Sequence, residues 1–454
     1  MSRRNRCIFI LILCGYGVIT IDSSIVITGL THIATDLSLS QVLLSWVQTA
    51  YVLAFGGFIL LSGKLSDVFG RKRILNLALL LFGASSAVAG AAPNGFVMIG
   101  TRIFQGISAA MLAPTSLALL MDTFTGKERI KALSWYSSIS GLGSSFGLFL
   151  GGFLASTVSW RVGFYLNVPI TLGMLMISLK YIDYTPLHVQ SFDIRGTVLS
   201  VAGIFSFIYA INGSSHPLPW IIVSLCLLLA FIYTEKGTPL AIMPLSLFTS
   251  RIRTGAYLIR FLFMCAMMSF WFFLSEYLQH IQQFSPLQTG LAFFPMTLSL
   301  FGMALIVPRF IQYYGNIQIL RISVIFLALS FLGALFVTPQ TSYTELLIPL
   351  LLLSGIGQGL ALTPMTNLGI KNAAPEISGA ASGLVNVTHF LGGSFGLAVM
   401  VAAGEYTPLM MEKFHIAMEL GLFFIVSMGI CVFCFYRENL QNSQLTVYAK
   451  GTRL

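Results

Sequence analysis

Charged side chains are scarce in this sequence, and their scarcity excludes most classes of protein. Lys, Arg, Asp and Glu make up 9% of the 454 residues, against 56% hydrophobic residues, whereas a soluble domain carries about 25% charged residues. So few ionisable groups cannot cover the water-facing surface of a chain this long. A soluble enzyme, a disordered chain, a collagen and a coiled coil are excluded, because each needs polar or strictly periodic sequence.

Cysteine pairs and the common enzyme motifs are also missing. Cys431 and Cys434 form a lone CxxC inside an apolar run, with no second pair and no nearby His, which favours core packing over a metal or redox site. No GxGxxG opens a helix after a strand, and neither a P-loop nor an HExxH occurs. We therefore expect no enzyme, no metal and no cofactor, so the energy for any transport must come from a gradient.

Long apolar runs dominate the sequence instead. A helix needs about 20 apolar residues to cross a hydrocarbon layer of about 30 Å. The run that follows Arg195 holds two crossings, because Asn, Gly, Ser and Pro residues cluster as a turn within 212–219. The sequence predicts an all-α integral membrane protein with fourteen transmembrane helices, at 7–30, 43–62, 74–93, 95–121, 132–156, 162–182, 196–212, 219–234, 255–277, 288–307, 321–338, 345–369, 377–402 and 416–436.

The basic residues set the orientation of these helices. Of the 25 Lys and Arg residues, 21 fall on one side of the predicted membrane, and only Arg161 and Lys413 fall on the other. This asymmetry follows the positive-inside rule and predicts a multi-pass protein of the cytoplasmic membrane with both termini in the cytoplasm. The net charge of +10 is thereby explained by topology, and we expect no nucleic-acid partner.

A weak internal repeat divides the chain. The segment 63–71 reads GKLSDVFGR and the segment 308–316 reads PRFIQYYGN, with basic, apolar or aromatic, and Gly positions at the same spacing. Gln105 and Gly106 are echoed by Gln358 and Gly359. We predict two six-helix halves, 7–182 and 255–436, separated by an extra helix pair at 196–234.

Several stretches resemble one transporter family. The segment 63–73, GKLSDVFGRKR, resembles the loop signature of the major facilitator superfamily, and 102–110, RIFQGISAA, resembles its fourth-helix motif. The stretches 22–26 and 160–169, together with the extra helix pair, resemble the fourteen-helix drug:proton antiporters of that superfamily. The resemblance implies a multidrug efflux carrier of small amphipathic substrates, driven by protons and acting as a monomer in the lipid bilayer.

The resemblance also implies roles for two glycine-containing motifs. Asp67 would touch the N-terminus of the helix that begins near Pro375 and Glu376, where the helix dipole favours an anion. Together with Asp67, the loop residues Gly63, Gly70 and Arg71 would form a conformational latch; the alternative is that the basic residues of this loop serve topology alone.

The fifth helix carries the helix-packing glycines of the antiporter signature. Small residues at these positions permit close helix approach. The position that holds a proline in the signature is Leu148, which leaves antiport and uniport both open. The glycines are Gly143, Gly147, Gly151 and Gly152.

Asp22 is the most informative single residue. A carboxylate in the apolar core of a membrane costs about 2.5 to 3.5 kcal/mol on insertion scales, so a partner or a task is expected. Asp22 lies about 12 Å, and Arg102 about 10 Å, from the outer ends of their helices. We hypothesise an Asp22–Arg102 ion pair that faces the central cavity and serves proton coupling; the alternative is a pair that only locks helix one against helix four.

Candidate substrate-binding residues are less specific. Gln48, Tyr51 and Gln105 line the cavity if the resemblance holds. Glu276 lies near the outer end of its span, where it can reach water, but it follows Trp271 and two phenylalanines, and a carboxylate beside aromatic faces suits a lipophilic cation. The favoured function is proton-driven export of amphipathic, often cationic, compounds. Alternatives are a metabolite exporter or uniporter of the same fold, a membrane enzyme, and a non-transporting sensor.

Overall fold

A computed structural model describes residues 2–183, 193–212, 214, 216–237, 243–373 and 375–436. Within these residues the chain forms fifteen α-helices, a short 3-10 turn and a short π turn. The helices are α1 (Arg3–Asp36), α2 (Gln41–Phe69), α3 (Arg71–Gly90), α4 (Gly95–Thr123), α5 (Gly126–Thr157), α6 (Trp160–Tyr165), α7 (Asn167–Tyr181), α8 (Ile194–Asn212), α9 (Pro217–Gly237), α10 (Arg251–His280), α11 (Pro286–Ala292), α12 (Phe294–Ala334), α13 (Ile348–Gly369), α14 (Pro375–Gly404) and α15 (Met410–Tyr436).

The helices account for the predicted crossings. Twelve segments of the described residues are long and apolar enough to cross a membrane. One of them, Pro286–Ala334, is 49 residues long and so about 74 Å, and Gly315 breaks it with non-helical angles. It therefore supplies two crossings, and α5 supplies one more, which confirms an all-α membrane protein of the predicted type.

Helix ends follow local sequence signals. Ser40 and Asn94 cap α2 and α4 by accepting hydrogen bonds from the backbone N–H of the third helical residue. Ser285 and Gln288 form a capping box at the start of α11. Gly70 ends α2 with a φ of 88°, a conformation that favours glycine.

The helices run alternately along one bundle. We call the end that holds the N-terminus of α1 the proximal end, and the opposite end, where α1 ends and α2 begins, the distal end. Helices α1–α7 pack on one another, and we call them the first helix set. Helices α10–α15 pack on one another in the same way and form the second helix set, while α8 and α9 pair with each other. Helix α8 also contacts α2 and α14, one from each set.

The weak repeat in the sequence corresponds to repeated backbone geometry. Gly70 and Gly315 occupy equivalent positions and have φ angles of 88° and 77°. A Cβ at Gly106 would lie 2.4 Å from the carbonyl oxygen of Tyr51, and a Cβ at Gly359 would lie 2.7 Å from that of Leu300. In both sets the glycine therefore lets one helix pack directly on the backbone of another.

Large apolar side chains cover the outer surface of the bundle. In the apolar stretch of α9 only 11% of the residues are buried, and Phe96, Phe336 and Tyr233 are each more than two-thirds exposed. A water-soluble monomer does not expose apolar area continuously in this way. The chain is a multi-pass membrane protein.

Candidate functional site

Asp22 and Arg102 form an ion pair deep inside the bundle. Asp22 projects from the middle of α1 and Arg102 from the distal third of α4, and Arg102 Nη1 lies 2.7 Å from Asp22 Oδ2. The side chains are 2% and 0% exposed. The sequence placed the two groups at similar depth, and the structure brings them together.

Two amide side chains complete the hydrogen bonding of the carboxylate. Asp22 Oδ1 accepts from Asn167 Nδ2 at 2.7 Å and from Gln105 Nε2 at 3.3 Å. Gln105 Oε1 in turn accepts from Arg102 Nη1 at 2.8 Å. Ser86 accepts from both amides, at 2.7 Å from Gln105 and 3.4 Å from Asn167. We call these five residues the acid–base cluster.

The acid–base cluster lies within the first helix set. Its residues come from α1, α3, α4 and α7, and α2 packs against Arg102. Both members of the pair are buried, so in this structure the pair does not face an open central cavity as we expected. The sequence could not show this, because helical depth fixes the height of a side chain but not the helices beside it. Gln105, expected to line a cavity, is fully buried in the cluster.

Aromatic rings and a backbone carbonyl hold the guanidinium of Arg102. Its Nε donates to the carbonyl of Val47 at 3.1 Å, and its Cζ lies 4.1 Å from the centre of the Tyr51 ring, a cation–π arrangement. Phe55 packs edge-on against Tyr51 and lies 4.3 Å, centre to centre, from Phe390 of α14. The rings therefore connect the buried pair to the second helix set.

The glycines of α5 allow α1 to approach closely beside Asp22. A Cβ at Gly147 would lie 2.7 Å from the carbonyl oxygen of Ile21, and one at Gly151 would lie 2.6 Å from the Cα of Ile25. Gly143 faces the side chain of Thr20 on α1, whereas Gly152 faces the backbone of α11. These glycines thus pack α5 against both helix sets.

The predicted latch residues lie partly in a helix. We placed Gly63 and Asp67 in a loop, but α2 continues to Phe69 and includes both. The prediction of a loop was wrong because a membrane helix can continue into water, where its last turns carry polar residues. Only Gly70 breaks the helix. The side chains of Asp67, Pro375 and Glu376 lie outside the described part of the structure.

Arg71 begins α3 and forms an ion pair with the end of α4. Its Nε lies 2.6 Å from Asp122 Oδ2, and the side chains are 24% and 52% exposed. The pair lines a pocket of about 320 Å³ at the proximal end, together with Arg4 and Asp183.

Glu276 is buried, contrary to our expectation that it reaches water. It is 4% exposed and accepts a hydrogen bond from Gln41 Nε2 at 3.2 Å. Gln41 also accepts from Lys413 of α15. The sequence position near a helix end suggested exposure, but α2 and α15 cover this end of α10.

Further hydrogen bonds join the two helix sets at the distal end. Ser275 of α10 donates to the carbonyl of Ile27 at 3.0 Å, and Gln279 bonds to Thr31 and to the carbonyl of Thr28. Leu287 N donates to Ser156 Oγ at 3.0 Å. The distal end of the interface between α1, α5, α10 and α11 is therefore closed.

Sequence reasoning gave no role to three residues that the geometry makes prominent. Asn167 lies within the 160–169 motif, which was quoted only for its resemblance, and Ser86 is one of many serines in apolar helices. Gln41 stands at the start of α2, where a capping or surface role is the usual interpretation. The motif around Asn167 was the available signal.

Comparisons with known proteins agree with this architecture. Residues 12–397 match the Major Facilitator Superfamily. The puromycin resistance protein pur8 of Streptomyces alboniger is 33% identical over 86% of this chain and 80% of its own length. The cephamycin export protein CmcT of Amycolatopsis lactamdurans is 30% identical over 85% of this chain and 82% of its own length.

Solved structures share the fold. The crystal structure of a mutant of the nucleoside transporter NupG superposes with a TM-score of 0.71 at 13% identity, covering 96% of this chain and all of the other. At this level of identity the likeness concerns the fold alone.

Proposed function

Because this chain belongs to the major facilitator superfamily and is therefore a transporter rather than an enzyme, we propose that it exports amphipathic drugs or other toxic compounds in exchange for protons. The names of its relatives support export: one is a puromycin resistance protein and another a cephamycin export protein. Both align along most of their length and most of this chain.

The acid–base cluster is the observation that carries proton coupling. Asp22 is the only carboxylate among its five residues, and Arg102 neutralises it in a site that is buried in this conformation. Protonation of Asp22 removes the negative charge and releases Arg102, which must then find other acceptors. A proton therefore changes the contacts between α1 and α4, and a differential contact of this kind is what shifts a two-state equilibrium.

The proposed mechanism is alternating access between two helix sets in the cytoplasmic membrane. The halves 7–182 and 255–436 would move against each other, with the pair 196–234 beside them. The distribution of basic residues supports cytoplasmic termini, so the distal end would face outward. The closed distal interface then corresponds to a carrier shut toward the outside.

Two sets of contacts would alternate during transport. Outward opening would break the bonds of Glu276 and Gln279 to the first helix set. In that state the latch formed by Gly63, Asp67, Gly70 and Arg71 would close the cytoplasmic end. Its closure would bring Asp67 to the start of α14, where the helix dipole favours an anion.

Substrate would bind between the two sets. Tyr51 packs on Arg102 of the acid–base cluster, and Gln48 precedes it by three residues on α2. Both carry buried polar atoms without a hydrogen-bond partner. These groups are available to a polar substrate. Glu276 is less available, because Gln41 already binds it.

A uniporter or metabolite exporter is the second candidate, favoured by Leu148 at the position of the signature proline. Without a proline, α5 keeps its backbone hydrogen bonds and runs unbroken from Gly126 to Thr157. A carrier of this kind would need no proton.

Flux from proteoliposomes separates these functions. The protein is reconstituted into liposomes that contain either ethidium, a cationic probe, or dansylglycine, an anionic one. A pH gradient is imposed across the membrane, and the movement of the probe is measured. We expect at least one probe to move faster than in protein-free liposomes and a protonophore to abolish the acceleration. Accelerated flux that does not depend on the pH gradient would favour the uniporter. If neither probe moved faster than in protein-free liposomes, export would be contradicted.

A further inference from the structure

Arg260 differs from the other buried arginines in having almost no protein partner. It is 8% exposed, its Nε has no hydrogen-bond partner, and its Nη1 reaches the carbonyl of Leu362 only at 3.4 Å. In the part of the chain that the structure describes, it forms no ion pair. A buried guanidinium with a single long hydrogen bond and no anion is unfavourable, so it is expected to have a ligand.

Arg253, two helical turns before Arg260 on the same face of α10, shows the hydrogen bonding of a structural arginine. It is 6% exposed, and its Nε, Nη1 and Nη2 donate to the carbonyls of Leu247, Asn372 and Ser246 at 3.1 to 3.2 Å. Burial alone therefore does not explain why Arg260 has so few acceptors.

The surroundings of Arg260 belong to both helix sets. A Cβ at Gly392 of α14 would lie 2.2 Å from the carbonyl oxygen of Phe261 of α10, so Arg260 and His389 lie at nearly the same level of two closely packed helices. Tyr16 of α1 interacts with Arg260 electrostatically. The Nδ1 of His389 is buried and has no hydrogen-bond partner, and the adjacent Phe390 packs on Phe55 of α2. Arg260 therefore lies where the two sets meet, and His389, a second polar side chain with an unpartnered atom, lies at nearly the same level of the neighbouring helix.

Apolar side chains follow Arg260 along the same face of α10, and Met264 and Met267 are buried in this conformation. At about 100° per residue, Met264, Met267, Trp271 and Ser275 lie within about 60° of the direction of Arg260. Ser275 contacts the backbone of α1, so this face of α10 is directed toward the first helix set. The indole Nε1 of Trp271 is buried and also lacks an acceptor.

We propose that Arg260 and His389 bind an acidic group of the transported molecule, with its apolar body along Met264, Met267 and Trp271. The substrates are then amphipathic acids or zwitterions rather than simple organic cations. A planar carboxylate, sulfonate or phosphate matches the donor geometry of a guanidinium. This inference rests on the proposed export function and narrows its substrate class.

Two matched fluorescent probes test the charge preference. Dansylglycine carries a carboxylate, and dansylglycinamide replaces it with a neutral amide on the same apolar body. Their affinities are measured by fluorescence with the full-length protein in lipid nanodiscs. We expect the wild type to bind the carboxylate roughly tenfold more tightly, as charge-assisted hydrogen bonds imply, and Arg260→Gln to bind the two probes equally.

Arg253→Gln is the control, because it removes the same charge from a buried position of the same helix. It is expected to lower thermal stability but to keep the carboxylate preference. Equal affinity of the wild type for both probes would overturn the assignment even if Arg260→Gln fails to fold. So would an unchanged preference in Arg260→Gln. The ratio of the two probe affinities is measured at equilibrium and flux is measured separately. The charge preference can therefore be absent from a protein that transports, and it can be present in a protein that does not.

Discussion

The two helix sets share their backbone design but differ in how they use charge. In the first set Gln105 bonds within a cluster that includes Asp22 and Arg102. In the second set the equivalent Gln358 is also buried but, among the residues that the structure describes, its side chain bonds only to the hydroxyl of Ser354, at 3.0 Å. The close helix packing is thus repeated, whereas the ion pair belongs to one set.

The same difference recurs at the proximal end. Arg71, directly after the helix-breaking glycine, pairs with Asp122 at the end of α4. Asn316, directly after the equivalent glycine, accepts a hydrogen bond from Asn367 near the end of α13 at 3.0 Å. A repeated structural connection is therefore charged in the first set and neutral in the second. This comparison suggests that the first set handles the proton, while the second set presents Arg260 to the substrate.

Removing the charge of Asp22 is expected to have the largest effect. Asp22→Asn leaves Arg102 buried without its anion, which costs about 3 to 5 kcal/mol in buried pairs. We expect an imposed pH gradient no longer to accelerate probe flux in proteoliposomes, and the melting temperature in detergent to fall as well.

The double variant Asp22→Asn/Arg102→Gln separates coupling from folding. Replacing both partners of a buried pair is often neutral for stability, so the melting temperature is expected to recover while proton-driven flux stays lost. Recovery of proton-driven flux along with stability would show that the pair only locks α1 against α4.

Close packing of α1 on α5 is expected to have the next largest effect. A Cβ at Gly147 would lie 2.7 Å from a backbone oxygen, so Gly147→Ala should lower stability by about 1 to 3 kcal/mol. Gly173→Ala in α7 is the control, since nothing lies within 4 Å of its added Cβ, and alanine there should raise stability by up to about 1 kcal/mol. If both variants shifted the melting temperature in the same direction relative to the wild type, the packing argument would be contradicted.

The repeated glycine turn predicts a smaller effect in the second set. Gly315 has a φ of 77° and open space around its added Cβ, so Gly315→Ala acts through the backbone alone and should cost about 1 to 2 kcal/mol. Gly302→Ala in the same helix has the same open space and should be stabilising. If Gly315→Ala left stability unchanged, the glycine turn would not be a structural requirement that the two helix sets share.

The two side-chain pairs at the proximal end, Arg71–Asp122 and Asn316–Asn367, are expected to contribute least to stability. Because Asp122 is 52% exposed, a double-mutant cycle of Arg71→Gln and Asp122→Asn should give a coupling energy below about 1 kcal/mol. The corresponding cycle for Asn316→Ala and Asn367→Ala should be no larger. A coupling of several kcal/mol at Arg71 would make this connection a main stabiliser of the first set.

Sequence reasoning predicted best where one physical requirement dominated. Hydrocarbon thickness set the number of helices, and the cost of a charge in lipid singled out Asp22. The rise per residue was enough to place Arg102 at the same depth as Asp22.

Sequence reasoning failed where the neighbours of a residue decide its environment. Glu276 looked exposed near a helix end, but α2 and α15 cover it. Asp67 looked like a loop residue, although a membrane helix can continue into water. Asn167 and Ser86 join the cluster through helices distant in sequence, and no spacing along the chain reveals that contact.

Direct measurement of proton movement tests the central claim. Proteoliposomes containing the pH-sensitive dye pyranine are given a gradient of a probe that the wild type carries, with no imposed pH gradient. The wild type should drive protons in the direction opposite to the probe, whereas Asp22→Asn should carry the probe down its gradient without moving protons. If Asp22→Asn moved as many protons per probe molecule as the wild type, proton coupling through Asp22 would be contradicted.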